Sequence, residues 1–129
     1  MCCRNRQRAF VKSSVVEAVR EEFLRPAYRH QFAVLAYTFM PDHAHLLVEG
    51  LSEQADFRRW AMLVRRRTTM ACQFVLPNGL WQDGYYERAL RKSEDVRAMI
   101  DYILDNPVRA GLVSRPLDYP FSWSCTLDG

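Results

Sequence analysis

The chain has 129 residues, enough for one compact domain over residues 1–129 and too few for two ordinary domains. Hydrophobic residues make up 49% and charged residues 26%, a balance that excludes disordered and collagen-like classes. The formal net charge of +3 is mild, but five arginines crowd into one short segment, so a polyanion is a reasonable partner.

The four cysteines follow no metal-binding or disulfide spacing. Cys2 and Cys3 are adjacent and Cys72 and Cys125 are isolated, so free thiols in a reducing compartment are expected. No apolar run reaches the length of a membrane span, and the polar start MCCRNRQRAF lacks the hydrophobic region of a signal peptide. We therefore expect a cytoplasmic protein without membrane association.

The first half of the chain predicts a helix followed by a hairpin. Apolar residues recur at helical spacing over residues 14–25, and Pro26 is expected to end that helix. The run QFAVLAYTFM is typical of a strand. Pro41 and Asp42 predict a turn that pairs this strand with HAHLLVEG.

A second helix is predicted from Ser52 towards Pro77, with an apolar face on one side. Its other side carries the arginine cluster, which consists of Arg58, Arg59, Arg65, Arg66 and Arg67. A solvated helix face explains such a cluster about as well as a phosphate-binding surface does.

The second half predicts an extended arm, LWQDGYYERALR, and then a third helix that opens at Ser93 and ends near Pro107. The tail from Leu112 is expected to cover the sheet as irregular structure. Helices alternating with paired strands predict an α+β fold with helices on one face of an antiparallel sheet. A ferredoxin-like arrangement is the natural candidate.

The stretch MPDHAHLLVEG places two histidines one residue apart on a predicted strand. Because successive strand side chains point to opposite faces, His43 and His45 are expected to share a face. Two neutral imidazoles within one pleat can bind a divalent ion. One core and one surface histidine would produce the same pattern, and short motifs often match by chance. The pair alone leaves both explanations open.

The stretch DYILDNPVRAGLV places Tyr102 and Asn106 four residues apart, hence on one face of the third helix. The Asn-Pro step also fits the start of a short following helix that ends at Gly111. Tyr102 taken alone is equally typical of a core or interface aromatic. Each motif therefore has a structural explanation of its own.

Together, MPDHAHLLV and YILDNPVRAGLV resemble the single-tyrosine HUH transposases, in particular the branch of REP-associated tyrosine transposases. Lesser matches are CCRNRQRAF, LWQDGYYERALR and YPFSWSC, so the resemblance runs over nearly the whole chain in one order. It implies that His43, His45 and Asn106 hold a divalent metal, Mg²⁺ or Mn²⁺. It also implies that Tyr102 is the nucleophile that attacks single-stranded DNA.

The chemistry implied by this resemblance is cutting and rejoining rather than hydrolysis. A cation on a non-bridging oxygen would neutralise charge and polarise the phosphorus. Attack by the tyrosine would leave a 5′-phosphotyrosine and a free 3′-OH. Since the new ester conserves the bond energy, a second DNA end could reverse the step at hairpins, repeats or insertion-sequence ends.

The same resemblance suggests where DNA would bind. The arginine cluster would follow the phosphate backbone, and Arg109 is a candidate to hold a phosphate near the metal. Three aromatic side chains offer stacking surfaces for unpaired bases, namely Trp81, Tyr85 and Tyr86. Relatives include both monomers and homodimers, and either state fits this chain.

One departure from the family bears on activity. Members usually begin with a full first strand, whereas only residues 1–3 precede the polar turn here. We therefore expect a truncated first strand, either because the true start lies upstream or because the chain is a degraded copy. The alternative functions are a catalytically inactive, truncated nucleic-acid-binding remnant, or a metal nuclease that uses water and leaves Tyr102 dispensable.

Overall fold

The computed structural model describes residues 1–84 and 96–126. Four helices lie there, α1 (Ser13–Arg29), α2 (Phe57–Ala71), α3 (Val96–Leu104) and α4 (Asn106–Arg109), with three strands, β1 (Phe32–Met40), β2 (His43–Gly50) and β3 (Ser122–Ser124). Short 3-10 turns occupy Arg4–Arg6, Ala9–Val11 and Pro116–Asp118. None of the helices in these ranges has the length and apolarity needed to cross a membrane.

The strands form an antiparallel sheet in the order β2-β1-β3. The predicted hairpin of β1 and β2 is confirmed, with Met40 opposite His43 at the turn and Phe32 opposite Gly50 at the far end. The prediction of an irregular tail is wrong in part, because β3 pairs with the outer edge of β1. That pairing satisfies backbone groups of β1 that would otherwise lie at an open sheet edge.

The place expected for a first strand is held by residues 1–3, on the other side of β2. Cys2 forms an isolated bridge with His43, and Cys3 forms one with Trp81. The Ala44 N–H donates to the Met1 carbonyl at 2.8 Å. These residues join β2 to the segment around Trp81 and extend the sheet at one end. All four cysteines are free, as predicted.

Helices cover both faces of the sheet, which corrects the prediction that they lie on one face. On one face α1 and α2 enclose the larger core, in which rings of Phe23, Phe39 and Trp60 pack edge to face or tilted. On the other face α3 packs through Ile100, Ile103 and Leu104 against the sheet. Both faces of β1 are therefore apolar and buried, as its nearly continuous hydrophobic run allows. The antiparallel α+β arrangement itself is confirmed.

Two helix boundaries differ from prediction. Helix α1 continues through Pro26 to Arg29. A proline inside a helix removes one N–H donor and destabilises the helix. Burial of the Pro26 ring offsets this loss here. Helix α2 begins at Phe57 rather than Ser52. The Asp56 side chain accepts from the Arg59 N–H at 3.2 Å and caps that first turn.

The end of α3 agrees with the sequence. The predicted opening at Ser93 lies outside the described residues, and the helix ends at Leu104. A short α4 follows with Pro107 in its first turn, where the missing N–H costs no hydrogen bond. Gly111 then takes a φ of 76°, a left-handed conformation that suits glycine after a helix.

Candidate active site

The two histidines lie on the same face of β2, as predicted. Their imidazole centroids are 4.8 Å apart and the ring planes meet at 85°. Both side chains are half-buried. Leu47, the next residue on this face of the strand, packs against α3. The histidine pair thus lies on the face that α3 covers, opposite the larger core.

His43 is held by a carboxylate at the hairpin turn. Its Nδ1 lies 2.6 Å from Oδ1 of Asp42, and the other carboxylate oxygen accepts from Nε of Arg6 at 3.0 Å. Burial raises the pKa of Asp42, but the hydrogen bond with His43 and the charge of Arg6 outweigh it and lower the pKa overall. Because an ionised carboxylate only accepts, the Nδ1 atom carries the proton.

His45 lies in a less polar position. Burial, with smaller contributions from the charges of His43, the N-terminus and Arg109, lowers the pKa of His45 to about 4. Its imidazole is therefore neutral at pH 7, which is the form that binds metal ions. Arg109 of α4 is therefore near enough to His45 to act on it electrostatically.

Tyr102 is exposed on α3, with 57% of its surface accessible. The Arg109 guanidinium lies 4.1 Å from the centroid of its ring, which is a cation–π contact. Arg109 also donates to the Tyr102 carbonyl at 3.0 Å and to Oδ2 of Asp105 at 3.1 Å. The arginine therefore spans from α4 back onto the tyrosine.

Asn106 begins α4, one helical turn after the tyrosine. Its Nδ2 donates to the Ile103 carbonyl at 3.3 Å and lies 3.5 Å from the Tyr102 carbonyl. With the amide nitrogen directed at these carbonyls, Oδ1 is the atom that can serve a cation. Asn106 is the first helical residue rather than the cap, because Asp105 precedes it in the cap position.

The predicted site residues form two groups on the same face of the sheet. The histidine pair forms one group, and Tyr102, Asn106 and Arg109 form the other on the face of the sheet that α3 covers. Among the described residues, no hydrogen bond or ring contact joins Tyr102 or Asn106 to either histidine.

The donor set fits a hard divalent cation in its chemistry. Two imidazoles and one amide oxygen leave coordination positions for phosphate and water. Within residues 1–84 and 96–126 no group of three His, Cys, Asp or Glu side chains could hold a metal. Among those residues, a third ligand for the histidine pair would be of another type, such as the Asn106 amide.

The arginine cluster lies on the opposite side of the sheet from the histidines. Helix α2 buries Trp60 and Val64 in the core shared with Ala44, whose side chain points away from the histidine face. Arg58, Arg59 and Arg66 are exposed. Arg59 and Arg66, together with Arg65, Asp83 and Gly84, line a groove of about 510 Å³.

Two arginines of the cluster make contacts within the protein itself. Arg65 donates to the carbonyl of Gly84 at 2.9 Å and to that of Gln82. Arg67 lies 3.8 Å from a carboxylate oxygen of Glu22 on α1. The cluster therefore divides into exposed side chains and side chains that tie α2 to its neighbours.

The prediction that Trp81 stacks on DNA bases is wrong. Only 7% of this residue is exposed, and its ring packs against Phe10 and Phe23 in the larger core. Its indole N–H donates to the Thr68 hydroxyl at 2.8 Å, so even its polar atom is used internally. Tyr85 and Tyr86 lie outside the described residues.

Asp42 and Arg6 are site residues that the sequence reasoning missed. Asp42 precedes the histidine motif directly, and a carboxylate next to a candidate ligand is a signal that could have been noticed. Arg6 lies 36 residues earlier in the CRNRQRAF stretch. No local pattern connects such distant residues, so only the fold reveals their contact.

Comparison with known proteins shows that the chain is similar to one family of transposases. The family described as "Transposase IS200 like" matches residues 1–106. The REP-associated tyrosine transposase of Escherichia coli (strain K12) is 30% identical over 120 residues, covering 92% of this chain and 70% of that protein. A solved structure of a REP-associated tyrosine transposase bound to a REP hairpin matches with a TM-score of 0.80 and 27% identity. That match covers 94% of this chain and 71% of the other.

Proposed function

This chain belongs to the IS200-like transposases, in their REP-associated tyrosine branch, and from that premise we propose that it cuts and rejoins single-stranded DNA at hairpin-forming repeats. Membership makes it an enzyme of the tyrosine transposase class. The observation that carries the proposal is the position of α3. This helix bears an exposed tyrosine and packs on the sheet face that holds the histidine pair.

Tyr102 is the proposed nucleophile. Its phenolic oxygen attacks the phosphorus of a DNA phosphodiester after losing its proton, and the bond from phosphorus to the 3′ oxygen breaks. The products are a 5′-phosphotyrosine and a strand that ends in 3′-OH. A 3′-OH from a second DNA end can then attack the phosphotyrosine and release Tyr102, so the joining step needs no nucleotide cofactor.

His43, His45 and Asn106 are the residues proposed to hold Mg²⁺ or Mn²⁺. The bound cation would supply charge neutralisation at a non-bridging phosphate oxygen. The neutral imidazole of His45 has a nitrogen lone pair for a cation. With its proton on Nδ1, His43 keeps the lone pair of Nε2 for the same purpose. Asn106 would add an amide oxygen, a type of donor that hard cations accept.

Arg109 is proposed to bind a phosphate of the DNA strand beside Tyr102. It covers the ring of Tyr102 and carries a positive charge close to His45. A guanidinium in this position suits a phosphate oxygen, since arginine can donate two parallel hydrogen bonds to one phosphate.

Hairpin DNA is the proposed partner. The solved relative is described as bound to a REP hairpin, and the exposed arginines of α2 offer this chain a phosphate-binding surface. Because that surface lies across the sheet from Tyr102, it would hold DNA that flanks the cleaved bond. Both a monomer and a homodimer are compatible with this arrangement.

Trapping of the covalent product tests the proposal. We expect the purified chain, incubated with labelled hairpin DNA from repeats of its source genome and with Mn²⁺, to form an adduct that survives denaturing electrophoresis. Mass mapping should locate it on Tyr102, and Tyr102→Phe should abolish it. Removal of the cation with EDTA should abolish the adduct in the unaltered chain while its thermal unfolding stays cooperative.

Three other outcomes would contradict the proposal in different ways. An adduct that persists in Tyr102→Phe and maps to another tyrosine would give the nucleophile a different identity. Cleavage without any adduct would indicate a metal nuclease that uses water. Binding without cleavage would leave the inactive DNA-binding remnant as the function.

A further inference from the structure

Asp42 lies at the centre of a three-residue chain of contacts that ends on a proposed metal ligand. One carboxylate oxygen contacts Nδ1 of His43 at 2.6 Å, and the other contacts Nε of Arg6 at 3.0 Å. Each oxygen of the carboxylate therefore has its own partner. The Asp42 side chain is about 25% exposed, so water competes only partly for these contacts.

We propose that Asp42 is a positioning residue, which fixes the tautomer and ring orientation of His43, and that Arg6 holds Asp42 in place. The inference deepens the proposed function, since it assumes that His43 is a metal ligand. With the proton on Nδ1 shared with the carboxylate, His43 presents Nε2 to the cation. A ligating histidine bonded to a carboxylate is also a more basic ligand, and its ring cannot rotate freely.

The backbone around the hairpin turn is anchored at two points by the first ten residues. The Cys3 N–H donates to the Asp42 carbonyl at 2.8 Å, and the Phe10 N–H donates to the Pro41 carbonyl at 3.0 Å. The turn that carries Asp42 is therefore fixed independently of its side chain. The carboxylate can then hold His43 against a rigid support.

The segment that delivers Arg6 adopts an unfavourable backbone conformation. Asn5 and Arg6 both have a φ of 54°, in the left-handed region that residues with a side chain rarely enter. Such a conformation persists only when surrounding contacts determine it. Here the contacts are backbone hydrogen bonds of Cys3, Arg4 and Arg6 and the ion pair between Arg6 and Asp42.

Two measurements on the full chain test the role of Asp42. The first is long-range ¹H–¹⁵N NMR of the imidazoles in the metal-free protein, at a pH where they are neutral. We expect His43 to be protonated on Nδ1 in the unaltered chain, and Asp42→Ala to shift it towards the Nε2 tautomer. Asp42→Asn should keep the Nδ1 tautomer, because its amide oxygen still accepts.

The second measurement is Mn²⁺ binding followed by electron paramagnetic resonance. We expect Asp42→Ala to weaken binding by about 10–100-fold, the range typical for loss of a group that orients a metal ligand. Asp42→Asn and Arg6→Gln should weaken it less. Asp118→Ala removes an exposed carboxylate paired with Arg115 and serves as the matched control, which should bind Mn²⁺ normally.

The outcomes separate this inference from the proposed function. An Nε2 tautomer in the unaltered chain would overturn the inference, as would unchanged Mn²⁺ binding in a folded Asp42→Ala variant. If Asp42→Ala does not fold, complete loss of Mn²⁺ binding in Asp42→Asn would likewise contradict the inference, because the asparagine oxygen can still orient His43. Failure of the unaltered chain to bind Mn²⁺ would instead overturn the metal site of the proposed function.

Discussion

At the scale of single residues, Thr68 and Trp81 form a polar pair inside the larger core. The Thr68 hydroxyl is fully buried, donates to the Val64 carbonyl at 2.7 Å and accepts from the indole N–H of Trp81. Both polar groups are satisfied only by each other and by the helix backbone. This pairing explains how an indole that resembled a DNA-stacking surface in the sequence can be a core residue.

We predict that Thr68→Val lowers the free energy of unfolding by about 1–3 kcal/mol, because it leaves the Trp81 N–H buried without its acceptor. Valine has nearly the same shape, so packing is preserved. Thr68→Ser is the matched control, since it keeps the hydroxyl and loses one methyl group, at a cost of about 1 kcal/mol. Urea unfolding measures both. A valine variant as stable as the unaltered chain, or more stable than the serine variant, would contradict the prediction.

At the scale of elements, β3 and its aromatic side chains close one edge of the sheet. Trp123 stacks on Tyr37 of β1, with centroids 6.0 Å apart and ring planes at 25°. The Tyr119 hydroxyl just before β3 donates to the Phe39 carbonyl at 2.5 Å. The tail is therefore part of the sheet rather than a loose cover.

We predict that Trp123→Ala lowers the free energy of unfolding by about 2 kcal/mol. The indole is half-buried, so the loss should be about half of that for a fully buried tryptophan. Leu117→Ala, at a residue that is 74% exposed, should change it by less than about 0.5 kcal/mol. The two variants are compared by urea unfolding, and indistinguishable midpoints would argue against a stabilising role for β3.

Helix α2 is the other element whose role depends on orientation. The spacing of its apolar residues determines which face of α2 packs in the core. Its arginines fall into two groups, according to whether neighbouring segments offer them a hydrogen-bond or ion-pair partner. Arg58, Arg59 and Arg66 point to solvent, and Arg65 and Arg67 join α2 to neighbouring segments. Charge alone in the sequence could not separate these two groups.

We predict that Arg59→Ala and Arg66→Ala each weaken binding of hairpin DNA without changing the unfolding midpoint. If each side chain neutralises one phosphate, the slope of log K against log salt should fall by about 1 per substitution. Arg115→Ala, at an arginine paired with Asp118, is the control and should leave the slope unchanged. Fluorescence anisotropy over a salt series measures the slope. An unchanged slope in all three variants would assign the cluster to a solvated helix face.

At the scale of the whole molecule, the sheet separates two cores of unequal size. The core beneath α1 and α2 holds most of the buried apolar side chains, including the aromatic cluster. Within residues 1–84 and 96–126, the core beneath α3 contains four buried residues, Ala36, Ile100, Ile103 and Leu104. The helix that carries the proposed nucleophile is thus attached through the smaller apolar contact.

We predict that backbone amides of α3 exchange with solvent through a local opening, at a lower free energy than amides of β1. Fewer buried contacts must break to release α3 than to separate the hairpin. Native-state hydrogen exchange read by mass spectrometry or NMR gives both free energies. Equal protection of α3 and β1 would show instead that the two cores open as one unit.

The sequence by itself determined the features that depend on neighbouring residues. Helical spacing predicted α1 and α2, and the alternation of strand side chains placed His43 and His45 on one face. The family resemblance was also available from the two motifs, and it agrees with the match over residues 1–106. Such features are local because backbone periodicity and turn chemistry act over a few residues.

Only the tertiary structure decided which distant residues meet. It placed α3 on the histidine face, buried Trp81 in the core, paired β3 with β1 and brought Arg6 to Asp42. Pro26 was an expected helix end, yet burial of its ring in the core allowed α1 to continue. These outcomes depend on packing between segments far apart in the chain, and packing can outweigh the preference of any single residue.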